Sequence, residues 1–311
     1  MPTWILVSDS GRRLGVMYVL TRVRRLYERR RQGYFVSTLG ILSRNKFAVG
    51  VLAVLLLIVV CAVFPSYVSP YDPYEMHAYD RFLPPTSKYL LGTDLFGRDT
   101  LSRIIWGSRV SLYVAGISVI IALLVGAMVG LAAGFRGGML DELIMRIVDG
   151  LLVFPDVFLG LIIIALLGTG MEKVMLAMGV MFAPAFARVA RGVTLSEREK
   201  EYVLASRSLG DTDRRTVVHE ILPNCIAPLM IQATLYLGYG VLYESFFSFL
   251  GLGVKPPTPT WGSMISSGVQ VIRTDPWLSI FPGLAIFLTV LALNIFGDGL
   301  RDALDPRLRI E

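Results

Sequence analysis

The sequence predicts an all-α, polytopic helical membrane protein with six transmembrane helices. Three observations lead there. Hydrophobic residues make up 54% of the 311-residue chain and charged residues only 17%, against roughly 25% charged in soluble domains. Several apolar runs reach the ~20 residues needed to cross a bilayer core, and they are continuous rather than alternating as in a membrane barrel. Lys and Arg gather in alternate connecting segments, as membrane topology demands. The net charge of +6 follows from that topology and implies no nucleic-acid partner.

Residues 1–46 form a basic N-terminal tail with ten Lys and Arg, including Arg22, Arg24, Arg25 and the run Arg29-Arg30-Arg31, against two acids. Its apolar pieces are too short for a signal-peptide core. Two readings stand: a cytoplasmic tail lying on anionic membrane lipid, or a disordered tail that obeys the positive-inside rule. The first span covers 47–64. A long polar segment, 65–107, carries Pro65, Pro70, Pro73, Pro84 and Pro85. The second span covers 108–135, and its small residues Gly116, Gly126, Ala127, Gly130 and Gly134 suit close helix packing.

The third apolar stretch is charged at its start (Asp141, Glu142, Arg146, Asp149) and fully apolar over 150–167, interrupted by Pro155-Asp156. A turn at Gly168-Thr169-Gly170 leads to the fourth span, 174–190. After a charged island the fifth span covers 226–250. A Pro-rich loop, 251–278, holds Trp261 and Trp277. The sixth span is 280–296, and the tail ends in Arg301, Arg307 and Arg309. The organisation is thus a tail (1–46), a first helix with an external segment (47–107), a core of five helices (108–299) and a second tail (300–311). Basic residues number ten in the N-tail, seven around the island and three in the C-tail, with sparse counts between. Six spans with both termini cytoplasmic satisfy every loop.

The island, 196–223, is the segment the rest serves. Ser196 with Glu199 reads as a capping box. Gly210 after Leu209 reads as a left-handed stop, and Asp211, Thr212 and Asp213 offer oxygens to cap a second helix. Pro223 closes the unit. A short helix, a tight turn and another short helix held between spans make a shape for docking.

The chain lacks the spacing of a phosphate-binding loop, and it has no H-E-x-x-H or G-x-S-x-G pattern. It is therefore read as no enzyme by itself. Cys61 and Cys225 sit near opposite faces on this topology, so no disulfide is expected, and two His supply no zinc site. Ionisable residues inside spans are costly and point to function. Asp156, after Pro155, either caps the backbone freed by the helix break or binds an ion or substrate. Glu244, on one span with Tyr236, Tyr239 and Tyr243, lines a translocation path or ties to a neighbouring helix. Asn294 and Asp298 pair across helices or with Arg301. In the external segment, Asp94 and Asp99 beside Gly97 read as a turn running into a capped helix. Spacing alone favours a folded linker with Arg98 and the acids paired to each other; the alternative is a surface that receives a soluble partner.

Several motifs taken together resemble one family. LGTDLFGRDTLSR (91–103), GFRGGMLDELIMRIVDGLLVFPD (134–156), the island with its ILPN ending (221–224), FSFLGLGVKPPTPTWG (247–262) and NIFGDGLRDALDPRLR (294–309) are similar to ABC importer permeases. The resemblance is to the C-type permease of the peptide/nickel transporter family and covers about residues 35–309. It implies the type I (MetI-like) importer fold. It also implies a heterodimer with a homologous B-type permease in the inner membrane, two cytoplasmic ATPase subunits that bind ATP and Mg, and an external substrate-binding protein. Di- and oligopeptides lead the cargo range, with nickel complexes, glutathione and oligosaccharides behind. The outer loops, with Asp94, Gly97, Arg98, Asp99 and Trp261, would receive the binding protein.

The island matches the family's coupling loop, EAA-x3-G-x9-I-x-LP, whose helices sit in a groove on the ATPase. Ala205, Gly210, Leu222 and Pro223 match. Leu204 stands in the Glu position, Ser206 in the second Ala position and Glu220 in the Ile position. A contact made through the motif's Glu is thus not available to Leu204, and Glu201 or Glu220 is the candidate replacement. The resemblance assigns coupling to Leu204, Ala205, Ser206, Leu209, Gly210, Asp211, Leu222 and Pro223, with shape as the preserved element.

Overall fold

Each long apolar run becomes a helix, because inside a bilayer the backbone must satisfy its own hydrogen bonds. The computed structural model describes residues 46–304. Apart from Lys46 and residues 300–304, what was expected of the two tails lies outside these. Helix α1 (Lys46–Val63) is eighteen residues of almost unbroken apolar sequence, and a single turn, α2 (Pro65–Val68), follows. Residues 69–99 form turns knitted over the start of the next helix. The Tyr71 amide donates to Ser102 Oγ (3.1 Å), Arg103 Nη1 donates to the Pro73 carbonyl (3.0 Å), and Tyr89 Oη and Lys88 Nζ both donate to Asp80 (2.8 and 2.9 Å). Those two bonds, Lys88 first, hold the Asp80 carboxyl below its ordinary range.

Helix α3 (Thr100–Arg136) has 37 residues, about 55 Å at ~1.5 Å per residue, and so projects beyond a ~30 Å hydrocarbon core. The hydropathy-based span began at 108. The helix starts eight residues earlier because Asp99 Oδ2 accepts from the Ser102 amide (2.7 Å) and hydroxyl (2.6 Å), a polar cap that hydropathy does not register.

Helix α4 (Gly138–Val153) and helix α5 (Asp156–Leu167) form an apolar pair bent by 99° at a short break. Pro155 sits at the break, where its ring cannot continue the helix. Helix α6 (Met171–Arg198) returns along α3. Its closeness to α3 comes from small residues. A Cβ on Gly126 would lie 2.5 Å from the Ala183 carbonyl, one on Gly130 would strike the Ala187 carbonyl, and one on Gly134 would lie 2.8 Å from Thr194 Cβ. The backbones meet where side chains are absent. Gly116, expected to share this role, faces open space.

Beyond α6 come α7 (Glu201–Ser208), α8 (Asp213–Thr216), a wide π turn (Val217–Ile221) and the long α9 (Leu222–Phe249). A full capping box between Thr260 and Ser263 starts α10 (Trp261–Val269), and α11 (Trp277–Leu304) ends the described chain. Among the described residues four helices are long and apolar enough to cross a membrane, five if the bent α4–α5 pair is one span, and α1 is a shorter apolar helix; six were expected. Residues 50–298 form one unit whose core centres on Val114, Ile164, Met178, Phe182, Phe186 and Phe247, all nearly inaccessible.

Candidate functional site

The island is built by its neighbours as much as by its own capping signals. Helix α6 runs unbroken through Ser196 to Arg198, so the capping box expected at Ser196 does not form; packed helix continues where the sequence suggested a start. Lys200, in extended conformation, precedes α7 instead. Glu197, inside α6, accepts from Lys200 Nζ (2.6 Å) and from Tyr202 Oη. Burial first, and then this bond, push the Tyr202 phenol up from its ordinary value. Asn224 Nδ2 donates to Tyr202 Oη (3.1 Å) from the first turn of α9. Arg198 Nη1 donates to the Gly134 carbonyl (2.8 Å), and Arg207 lies 5.1 Å from the centre of the Phe135 ring. Val203 is fully buried. The short helix is thus fastened to the ends of α3, α6 and α9.

Outward, the same helix offers Leu204, half exposed, and Leu209, 88% exposed, with Ala205 beside them. Gly210 has φ +88° and open space around it, so backbone conformation alone demands glycine. The second helix lacks the side-chain cap expected from Asp211, Thr212 and Asp213. Asp211 instead accepts from Ser206 Oγ (2.7 Å) and meets Arg215 at 3.4 Å, which staples the turn across its mouth. Pro223 does not close the unit. It lies inside a helical run that continues from Asp213 to Phe249, just after the π turn that accommodates it. Glu201 is exposed and Glu220 half-buried.

At the opposite end, the residues expected to receive a partner are interior. Asp99 is 3%, Arg98 7% and Trp261 1% exposed. Arg98 pairs with Asp94 at 2.7 Å, and a Cβ on Gly97 (φ +74°) would strike the His77 carbonyl. Trp261 Nε1 donates to the Ile104 carbonyl (3.0 Å). These residues hold the outer segment together, as spacing alone favoured. The most exposed large side chains here are Tyr67 and Tyr79, which carried no local motif to mark them.

Within the spans the tyrosines and Glu244 part company. Tyr243 Oη donates to Asp156 Oδ2 at 3.3 Å, and Tyr236 packs on Phe182 (4.9 Å between ring centres), Phe186 (5.2 Å) and Tyr239 (5.7 Å). Asp156 stands in the first turn of α5 without accepting a backbone N–H bond, and its side chain faces α9. Glu244, one residue after Tyr243, turns roughly 100° away around a helix of ~3.6 residues per turn. It is fully buried and accepts from Ser248 Oγ (2.7 Å), with Ser111 of α3 and Ser245 as neighbours. Among the described contacts Glu244 is tied to helix packing. Sequence reasoning missed Phe182 and Phe186, which only tertiary contact brings to the tyrosines. Among the described residues no group of His, Cys, Asp and Glu is arranged to hold a metal, and both cysteines are free.

Comparison with known proteins agrees with this architecture. The family described as "Binding-protein-dependent transport system inner membrane component" matches residues 126–310, and "N-terminal TM domain of oligopeptide transport permease C" matches 34–85. The di/tripeptide transport system permease protein DppC of Pseudomonas aeruginosa is 44% identical over 273 residues, covering 86% of this chain and 90% of that protein. The glutathione transport system permease protein GsiD of Pectobacterium atrosepticum is 40% identical, covering 86% and 89%. A solved inward-facing structure of the MetNI methionine ABC transporter superposes with a TM-score of 0.54 at 18% identity, covering 65% of this chain and 96% of that one. The fold is that of a MetI-like importer permease. The chain belongs to the inner-membrane permease components of binding-protein-dependent transport systems.

Proposed function

We propose that this chain is the C-type permease of an ATP-driven importer of di- and oligopeptides. With a homologous B-type permease it forms the membrane path. An external binding protein delivers cargo, and two ATPase subunits, which hold the ATP and Mg, drive the cycle from the cytoplasm. Both termini and the island lie on that side.

The observation that carries this reading is the mounting of the island. An exposed apolar edge, Leu204 and Leu209, sits on a helix whose other face is locked to three spans. Movement of a partner against that edge displaces the ends of α3, α6 and α9 together. Nucleotide then shifts the population between two membrane conformations by binding one of them better. In this reading shape and apolar contact carry coupling where Leu204 replaces the motif's Glu, and Gly210 and the Ser206–Asp211 staple hold that shape.

The test is reconstitution in proteoliposomes with all partners, following uptake of radiolabelled dialanine. Uptake should require ATP and the binding protein. Leu204→Asp with Leu209→Asp should release the ATPase subunits on purification while leaving the permease pair intact. Uptake without an ATPase would overturn the reading. Glutathione is the second cargo to try, given the 40% identity to a glutathione permease.

A further inference from the structure

Asp156 is a carboxylate at the break between α4 and α5, in the first turn of α5, where its charge suits the helix N-terminus. It accepts no backbone N–H bond there, and its side chain meets α9 instead. Among the described residues it meets no Lys or Arg within ion-pair distance. Its one hydrogen-bond partner among them is Tyr243 Oη, at 3.3 Å. Such a group inside a membrane segment is costly unless a ligand or pathway uses it.

Its surroundings suit one kind of ligand. Tyr236, Tyr239 and Tyr243 fall at i, i+3 and i+7 on α9, hence on one face. Phe182 and Phe186 back them as a buried wall, with Phe182 5.8 Å from Tyr243 and 4.9 Å from Tyr236. Tyr239 is 53% exposed, whereas Tyr236 and Tyr243 are half-buried, so the cluster opens on the Tyr239 side. Aromatic faces attract cations, more strongly where water is thin. A carboxylate and three phenol oxygens supply acceptors for an ammonium's three donors. An anion would find no cationic partner here.

We propose that Asp156, Tyr236, Tyr239 and Tyr243 form a transient binding site for the N-terminal ammonium of the translocating peptide. This rests on the peptide reading above. The carboxylate supplies the charge and the tyrosines the cage. One fixed ammonium contact lets a path pass many peptides, because every free peptide carries that group.

The test uses the complete importer in proteoliposomes, with radiolabelled dialanine, and reads peptide imported per ATP hydrolysed. Asp156→Asn should lower that ratio about tenfold, the effect of losing one charge-assisted contact, and Asp156→Glu should restore much of it. A ratio unchanged in Asp156→Asn, whether uptake and hydrolysis stay or fall together, overturns the site. A second measurement is independent of cargo. Saturation-transfer NMR on the purified transporter without binding protein should detect alaninamide, a cation, but not neutral N-acetylalaninamide, and Asp156→Asn should abolish the signal. If wild type imports no dialanine yet binds alaninamide through Asp156, the site stands and the peptide reading falls. If alaninamide gives no Asp156-dependent signal, the site falls.

Discussion

Arg191 of α6 grips Asp141 of α4 with two parallel hydrogen bonds, Nε to Oδ1 at 2.6 Å and Nη2 to Oδ2 at 2.8 Å. The Asp141 side chain is 12% exposed and that of Arg191 32%. Arg188–Asp149 joins the same two helices but is more than half exposed on both sides, where such pairs contribute little. The fork-to-fork pair is therefore the one that sets the angle of the bent α4–α5 pair against α6, close to where α6 enters the island.

Removing that grip should be costly. Arg191→Ala leaves a mostly buried carboxylate unpaired, and a loss on the order of 2 kcal/mol is expected, between exposed and fully buried pairs. Arg191→Lys should recover only part, since an ammonium cannot reproduce the planar fork. Thermal unfolding of the purified protein with both variants checks the order wild type, Lys, Ala.

The glycines of α3 are not equivalent. Gly130→Ala would drive a methyl into the Ala187 carbonyl, whereas Gly116→Ala would meet nothing within 4 Å. The first should cost roughly 1–3 kcal/mol by overpacking and reduce the yield of folded protein in detergent. The second should be neutral or slightly stabilising, because alanine is the better helix former. Equal yields for both would contradict the close approach of α3 and α6.

How far these features were legible in the sequence depended on whether their cause was local. Apolar length foretold the spans, and Asp99 before Thr100 announced a helix start that was then placed too late by hydropathy alone. Gly210 was legible because few other residues tolerate its backbone angle. The failures have a common physical root. Ser196 carries a good capping pattern, yet tertiary packing continues α6 past it; Pro223 reads as a stop, yet a π turn absorbs it into α9. The family resemblance puts Arg98, Asp99 and Trp261 on a partner surface, whereas local spacing favours the internal pairing of Arg98 with an acid, and their contacts are internal. The partnership of Asp156 with Tyr243 spans 87 positions, and no spacing rule reaches that far.

Glu244 tests the difference between a buried tie and a path. Its Oε1 accepts from Ser248, and its Oε2 lacks a hydrogen-bond partner. Glu244→Gln keeps an acceptor and nearly the same volume, so folding and uptake should stay within about twofold of wild type. Glu244→Ala should lose on the order of 2 kcal/mol, from the orphaned Ser248 hydroxyl and the cavity together. Yield and melting of the two variants separate these expectations, and a Gln variant that folds normally but transports nothing would return Glu244 to the path.

Acid should loosen the outer segment before the bundle. Asp80 is held below its ordinary value by Lys88 and Tyr89. A carboxylate lowered in the folded state contributes stability above its unfolded pKa, about 3.9, and that contribution disappears as pH falls through the lower folded value. Hydrogen exchange should therefore show residues 77–93 opening below about pH 4. Asp80→Asn should open the same segment at neutral pH. Protection unchanged in that variant would show that the clasp does not hold the segment.

The turn at Gly210 separates shape from charge in coupling. With φ at +88° and nothing within 4 Å of an added Cβ, a side chain here is opposed by backbone angle rather than by a neighbour. A β-branched residue is a pronounced outlier in this region, whereas Asn visits it routinely. Gly210→Val should cost about 1–2 kcal/mol locally, too little to unfold a protein with this core yet enough to reorient Leu209 relative to Leu204. ATP-dependent uptake should be abolished while the subunits still co-purify, and Gly210→Asn should retain a substantial fraction. If Val and Asn behave alike, the turn is not the coupling element. If Leu204→Ala abolishes uptake while Gly210→Val does not, coupling resides in the side-chain contact rather than in the geometry that presents it.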